Sequence, residues 1–541
     1  VTTRPAQSVT VVGSGPSAVH FALSLLRKGH AVTMFDVGYE KPAAVNPTDS
    51  LTRLKTTLED PATFFLGDDF RGVLLPGNKG EYYGIPPGKD YIFRTPDGFD
   101  FAGSGFAPLF SFAQGGMAET WTAGCYPYTA AEVAEFPFPF ADLQAGYNEV
   151  ARRIGVTGEV DDLARFYPAH EHLLEPLRLD RHSAQLMRQY ALRRAALQRD
   201  LRCYFGRTRV ATLSRDHAGR QACSYLGRCL WGCPSRSLYT PSSTLAECRQ
   251  FSGFTYRGGM RVTHFTCDAG ARVTAVVAED VRDRRSESFP VSTLALGAGA
   301  MSSTQIFLES VFRQCGKVAA LPGLMDNRQI LVPFLNLRML GKAWEPESYQ
   351  YHLLGLGVEM DDPSQYVHGQ ITTLKTALLH PIMQNLPVDL RTAAFLVRHL
   401  HSALGIVNVN HHDTPRAGSF VKLEPGREGK AGKLVIQYDP PRDEAAFIRH
   451  SVGTVKRALR RLGCIVPPGM EHVRPMGASA HYAGTLPMSL KKSPFTTSPL
   501  GQSHDFANLY IVDGATFPFL PAKNITFSLM ANAVRIADAA F

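Results

Sequence analysis

Two patterns alternate along this chain: short runs of β-branched and apolar residues, and longer segments whose apolar positions recur at helical spacing. Ser8 to Val12 is the first short run, followed by Gly13-Ser14-Gly15-Pro16-Ser17-Ala18 and a helix predicted from about Val19 to Lys28. A second strand, Ala31 to Phe35, then ends on Asp36. This is a βαβ opening. Gly13 permits its tight turn, Gly15 lets the backbone approach a pyrophosphate, and Ala18 keeps helix and strand close. An acid about 20 positions on, here Asp36, suits a ribose 2′-hydroxyl and disfavours a 2′-phosphate, so the pattern predicts a dinucleotide site that does not take NADP.

The opposite end of the chain supplies a second half. Asn508 to Val512 is a predicted strand that runs into Asp513-Gly514, and a Pro-containing loop delivers Asn524 to the start of a helix with Phe527, Met530, Ala531, Val534 and Ala537 at helical spacing. A helix start exposes unpaired N–H groups and a partial positive charge, which suits a phosphate or a ring that gains negative charge on reduction. Three internal blocks share the small-residue texture. Ala113 to Tyr128 carries Gly115-Gly116, Gly259 to Phe265 reads as a strand through Val262, and Val291 to Ser310 reads as a buried strand, a turn at Gly297-Ala298-Gly299 and a helix. Asp142 to Phe205 and Asn327 to Glu471 are richer in charge and helix, with strands at Ser419 to Lys422 and Lys433 to Tyr438. The fold expected is α/β, with a discontinuous cofactor lobe (1–141, 206–326 and 472–541) and a second lobe (142–205 and 327–471) of β-sheet flanked by helices. Leu74 to Asp100 and Pro322 to Asp326 are expected as surface excursions, and Glu135 to Phe140 as a lobe boundary.

Composition narrows the function. With 541 residues, 44% apolar and 19% charged, the chain can bury a large core. Its net charge of +9 comes from basic residues scattered among acids, and Arg457, Arg460 and Arg461 read as a solvated helix face rather than a nucleic-acid footprint. The most apolar long window, Ala393 to Val409, is interrupted by Arg398, His399 and His401; it predicts a buried or pocket-lining element rather than a membrane span. The chain enters its first strand by Ser8 without a signal-like segment, so a cytoplasmic location is expected. Nine cysteines fit reduced thiols. His217, Cys223, Cys229 and Cys233 lack C-x-x-C spacing, and a thiol-bearing Gly-rich loop beside the cofactor is expected there rather than a metal.

The blocks GSGPSA with Asp36, LALGAGAMSSTQIFLES, AHYAGTLPM (Ala480 to Met488) and NLYIVDGATFPFLPAKNITFSLMANAVRIAD occur in an order that resembles the glucose-methanol-choline (GMC) oxidoreductases, a family of FAD-dependent alcohol-oxidising enzymes. The resemblance implies a Rossmann-like FAD lobe and a sheet-based substrate lobe. Carried over residue by residue, His481 falls on the active-site histidine and Asn524 on a second position that members fill with Asn or His. Ile525 departs from the proline that often follows, and Leu486-Pro487-Met488 departs from the basic residue expected after Gly484-Thr485. GGMAETWTAG resembles the corresponding segment of pyranose 2-oxidase. Thr120 stands where that enzyme has a histidine joined to FAD, so the resemblance implies FAD held without a covalent bond.

Oxidising an alcohol requires a proton acceptor and a hydride acceptor. Flavin N5 takes the hydride, and His481 is the expected general base. Asn524 is expected to hold the same substrate oxygen, with helix N-cap as its competing role. Backbone N–H groups at Ile525 and Thr526 are expected near the reduced flavin, and Asp513 and Gly514 near the ribityl-pyrophosphate chain. Gly13, Gly15, Ala18, Asp36, Gly115, Gly116, Thr120, Val262 and Ala298 complete the expected cofactor set. The expected substrate is a hydroxyl of a sugar, glycoside or sugar-containing natural product, with oxygen or another acceptor taking the electrons and a homo-oligomer possible. A non-sugar alcohol, favoured if Ala393 to Val397 lines the pocket, a lyase on the same fold and an NAD-dependent dehydrogenase are the alternatives.

Overall fold

The computed structural model describes residues 7–40, 48–70, 85–375, 379, 383, 386–426 and 431–541. Its first layer is a five-stranded sheet in the order Leu509–Ile511, Leu294–Leu296, Ser8–Val12, Ala31–Phe35 and Phe254–Arg257, parallel throughout. Parallel strands are buried on both faces, which is why these segments read as apolar runs rather than alternations. The helices Pro16–Arg27 and Ala300–Cys315 each follow a strand of this sheet directly. Pro16 at the first helical turn and Gly297 against Ala18 fix the first crossover. A Cβ on Gly297 would stand 2.9 Å from that of Ala18, so the close approach expected of Ala18 is observed.

The C-terminal helix Thr526–Ala540 is buried along most of its length, between Pro16–Arg27 on one side and Phe140–Ile154 on the other. Burial on both sides explains its near-continuous apolar sequence, where a surface helix would show one stripe.

The second layer is antiparallel. Its strands run Cys464–Ile465, Gln329–Asn336, Leu404–Asn410, Val367–Thr373, Leu354–Val358 and Cys203–Arg207, with His472–Val473 also paired to Gln329–Asn336. Side chains alternate faces along a strand. Ile330, Val332, Phe334, Ile371, Val407 and Val409 pack against the helices Arg181–Leu201 and Glu444–Arg461. The intervening Gln329, Leu331, Gln370, Thr372, Ile406 and Asn408 therefore face the other way, into a cavity between the two layers.

Three expectations need correction. Pro322 to Asp326 is not a surface excursion: Leu324, Met325 and Asp326 are buried, because Met325 pairs with Ala483 and Asp326 receives the amide of Gly477. Ala393 to Val409 is not one buried element. It divides into the helix Leu390–Leu400, which buries only Ala393 and Val397 and leaves Phe395 60% exposed, and the strand Leu404–Asn410. Ala393 to Val397 does not line the cavity, whereas Ile406 and Asn408 do. Within Leu74 to Asp100, residues 74–84 lie outside the described residues; beyond them Ile92 is buried and Ile85 and Phe93 line the cavity. Arg457, Arg460 and Arg461 are exposed on the helix Glu444–Arg461, as expected, and all nine cysteines are free thiols. Among the described residues no helix is long and apolar enough to cross a membrane.

At Gly146, on the helix Phe140–Ile154, an added Cβ would fall on the backbone of Ala531, 2.9 Å from its carbonyl carbon. Replacing Gly146 with valine is expected to force the two helices apart at a cost of about 1–3 kcal/mol, read as a lowered midpoint in chemical denaturation.

Candidate active site

The cavity encloses about 630 Å³ and is walled on one side by strand ends and helix starts of the parallel sheet, on the other by the antiparallel sheet. Three helices begin at it: Pro16–Arg27 after Gly15, Ala300–Cys315 after Gly299, and Thr526–Ala540 after Ile525. None of the three has a side-chain cap on its first turn, so their partial positive charge and unpaired N–H groups are left for something in the cavity. Gly13 has φ +96°, and a Cβ there would stand 2.7 Å from the carbonyl oxygen of Gly297. A Cβ on Gly15 would meet nothing within 4 Å. The space in front of Gly15 is thus open where a pyrophosphate would approach.

Asp36 ends its strand buried at the cavity edge, accepting from the Ser14 hydroxyl and from Tyr256 at 2.9 Å; burial pushes its carboxyl up to about 7 against those bonds. Asp513 is buried too, accepting from the Gly299 amide at 3.0 Å, Ser303 Oγ at 2.5 Å and the Ala515 amide at 3.0 Å, and burial raises it to about 6. It ties the turn after one strand to the turn after the next. Gly116, Thr120, Val262, Ala298, Gly514, Ile525 and Thr526 line the cavity as well. Thr120 Oγ1 is buried without a partner among the described residues. Gly115 and Ala18 stand behind the lining: the Gly115 amide donates to Ser14 Oγ at 2.9 Å, and Ala18 packs on Gly297. A dinucleotide with a ring system fits this donor set, with uncapped helix starts for phosphates, an acid for a ribose and an apolar wall at Val262, Ala298 and Met301. The Cys223, Cys229 and Cys233 loop reaches this cavity through Leu230.

His481 and Asn524, 43 residues apart in sequence, meet at the boundary of the two layers: Asn524 Nδ2 lies 3.3 Å from His481 Nε2. The helix N-cap position belongs to Ile525, so capping does not account for Asn524. His481 Nδ1 lies 2.9 Å from Asn327 Oδ1. Asn327 Nδ2 donates to the carbonyls of His411 at 2.8 Å and Pro521 at 2.9 Å, which holds the oxygen of its carboxamide toward the imidazole. An acceptor there requires the proton on Nδ1, and Nε2 then carries the lone pair. On the other flank, Gln370 donates to Asn524 Oδ1 and so turns the Asn524 amide nitrogen toward Nε2. Burial, with the Arg474 charge adding to it, lowers His481 to about 4, so the imidazole is neutral at pH 7.

The loop that delivers His481 is pinned by Asp326, which accepts from the Gly477 amide at 2.6 Å and from the Ser479 hydroxyl, while Ser479 Oγ receives the His481 amide at 3.0 Å. Ala480 takes φ +60° within this turn. Asn524 is anchored from beneath by its neighbour Lys523, fully buried and bonded to Glu132 at 2.5 Å and the Pro127 carbonyl at 2.9 Å. Sequence reasoning missed Asn327, Gln370, Arg474 and Asn408. The only cue was that Asn327 follows directly on the segment Pro322 to Asp326, which was read as a surface excursion.

Residues 415–533, which include both His481 and Asn524, match the family model described as GMC oxidoreductase. The chain belongs to the GMC oxidoreductases. Membership implies FAD as cofactor and an alcohol as the group oxidised. Over 98% of its length the chain is 22% identical to 6'''-hydroxyparomomycin C oxidase of Streptomyces lividus, covering 90% of that protein, and 22% identical to 2-methyl-1,2-propanediol dehydrogenase of Mycolicibacterium austroafricanum, covering 94%. Paromamine 6'-oxidase of Streptomyces fradiae is also 22% identical, over 98% of this chain and 90% of that one. The crystal structure of pyridoxine 4-oxidase from Mesorbium loti superposes with a TM-score of 0.58 at 15% identity, covering 98% of both chains, and shows the same fold. The likeness to pyranose 2-oxidase rests on GGMAETWTAG alone.

Replacing Gly15 with valine adds side-chain atoms where the protein itself has none nearby. The purified variant is expected to lose most of its flavin, read as the ratio of flavin to protein absorbance, while the apoprotein's unfolding midpoint stays within about 0.5 kcal/mol of the parent apoprotein. Retained flavin would place the pyrophosphate elsewhere.

Proposed function

We propose that this GMC oxidoreductase oxidises a hydroxyl of a sugar, glycoside or sugar-containing natural product, with His481 as general base and Asn524 as the group that holds the reacting oxygen. The observation that carries the reading is the imidazole of fixed tautomer, its free Nε2 beside a carboxamide nitrogen at the boundary between helix starts and polar sheet face. When bound, FAD supplies the hydride acceptor. The protein's own contribution is proton handling and orientation. A substrate hydroxyl that enters between Nε2 and Asn524 Nδ2 gives its proton to the first and accepts a hydrogen bond from the second, so charge developing on oxygen is met from both sides. The neutral imidazole is ready to accept a proton across the physiological range.

The sugar assignment draws support from two relatives whose names specify aminoglycoside oxidation and from the polar residues on the sheet face of the cavity. The diol dehydrogenase among the relatives favours a smaller alcohol as the second reading. We also propose non-covalent FAD, since Thr120 offers no flavin-linking nucleophile of the histidine kind, and a cofactor lobe formed by 1–141, 206–326 and 472–541 against a substrate lobe formed by 142–205 and 327–471. Acid precipitation that releases all of the flavin into solution supports the non-covalent mode.

The test is anaerobic mixing with monosaccharides, glycosides and diols while flavin absorbance is followed. Bleaching by glycosides or sugars supports the reading; bleaching by small diols alone favours the second. His481→Ala is expected to lower the reduction rate by about 10²–10⁴ with flavin content unchanged. A base must be unprotonated to act, so kcat/KM is expected to rise through about pH 4 and to show no further acid limb above it.

A further inference from the structure

The cavity wall opposite the helix starts carries a charge that the reading above does not use. Arg474 leaves the strand His472–Val473 and is fixed along Gln329: its amide donates to the Gln329 carbonyl at 3.0 Å and its guanidinium to Gln329 Oε1 at 2.5 Å. Its own carbonyl accepts from Arg328 at 2.8 Å, and Arg328 is held in turn by Glu444 at 2.9 Å. A side chain tethered on this many sides presents its cation in one place, and that place lines the same cavity as His481. Asn408 stands on the same sheet face, its strand paired with Gln329–Asn336 so that Asn408 lies opposite Leu331, and with Val367–Thr373 so that it lies opposite Gln370. Its carboxamide oxygen is buried and has no hydrogen-bond partner among the described residues. A buried acceptor calls for a donor, and in a substrate cavity a substrate hydroxyl can supply one.

We propose that Arg474, Gln329 and Asn408 form a recognition subsite that selects a neutral or acid-bearing polyhydroxylated alcohol and discriminates against one with an ammonium group next to the reacting carbon. The inference rests on the reading of His481 and Asn524 as the pair that handles the hydroxyl. It narrows the substrate class: an aminoglycoside brings ammonium groups toward a fixed guanidinium, where like charges repel in a cavity shielded from bulk water. A neutral glycoside brings hydroxyls that satisfy Asn408 and the guanidinium together. A carboxylate gains a charge-assisted bond to Arg474.

The experiment uses the flavin-loaded enzyme and three matched ligands: a neutral methyl glycoside, its amino-sugar counterpart and its uronic-acid counterpart. Binding is read from perturbation of the flavin spectrum and turnover from anaerobic flavin reduction. The parent is expected to bind and oxidise the neutral and acidic ligands at least about tenfold better than the amino ligand. Arg474→Gln is expected to narrow that ratio to about threefold or less, Arg474→Lys to preserve it, and Asn408→Leu to raise the KM for the neutral glycoside about tenfold with kcat little changed. A parent that prefers the amino sugar, or a ratio unmoved in Arg474→Gln while Arg474→Lys folds and binds flavin, overturns the subsite. Charge-selective binding with no flavin reduction by any alcohol leaves the subsite supported and overturns the assigned reaction instead.

Discussion

The proton on Nδ1 of His481 donates to a carboxamide oxygen that cannot turn away. Asn327 spends both of its amide hydrogens on the carbonyls of His411 and Pro521, so rotating it would set oxygen against two oxygens and leave the imidazole without an acceptor. Everything at the site follows from that constraint. The tautomer leaves Nε2 unprotonated, the position of Nε2 gives the Asn524 amide a partner, and Gln370 holds Asn524 from the other side. The scaffold is arranged to keep this row in place: Asp326, immediately before Asn327, pins the turn that carries His481, and Lys523, immediately before Asn524, is buried in a salt bridge with Glu132.

The burial that positions the imidazole also sets its protonation. An imidazole removed from water and facing the Arg474 charge is driven toward its neutral form, so a base is available without a neighbouring carboxylate to hold it. The same burial raises Asp36 and Asp513, whose oxygens are occupied with hydroxyl and amide donors. The acids of the cavity thus bind and tie, while proton transfer falls to the histidine.

Much of the fold was legible because its signals are local. The glycines at 13 and 15 need particular backbone shapes, Asp36 sits at a fixed distance from them, and parallel strands announce themselves as unbroken apolar runs. His481 and Asn524 were legible through the blocks around them. The supporting residues were not. Asn327 lies at the end of a Pro- and Gly-containing stretch that looks like a surface loop, and it is buried only because Met325 pairs with Ala483 across more than 150 residues of chain. Gln370 and Asn408 are single polar residues in alternating strands; the alternation shows that one face is polar, and only the register of three strands shows that this face closes the cavity. Ala393 to Val409 misled for the opposite reason, since a run of apolar letters covers a half-exposed helix and a strand that share no common face.

The central claim is that His481 is a neutral imidazole with its proton on Nδ1. Nitrogen-15 NMR of the histidine-labelled holoenzyme at pH 7, with the His481 signals assigned by their loss in a His481→Gln variant, reads this directly. The account predicts a protonated Nδ1 and an unprotonated Nε2, and a signal with the proton on Nε2, or on both nitrogens, would contradict it.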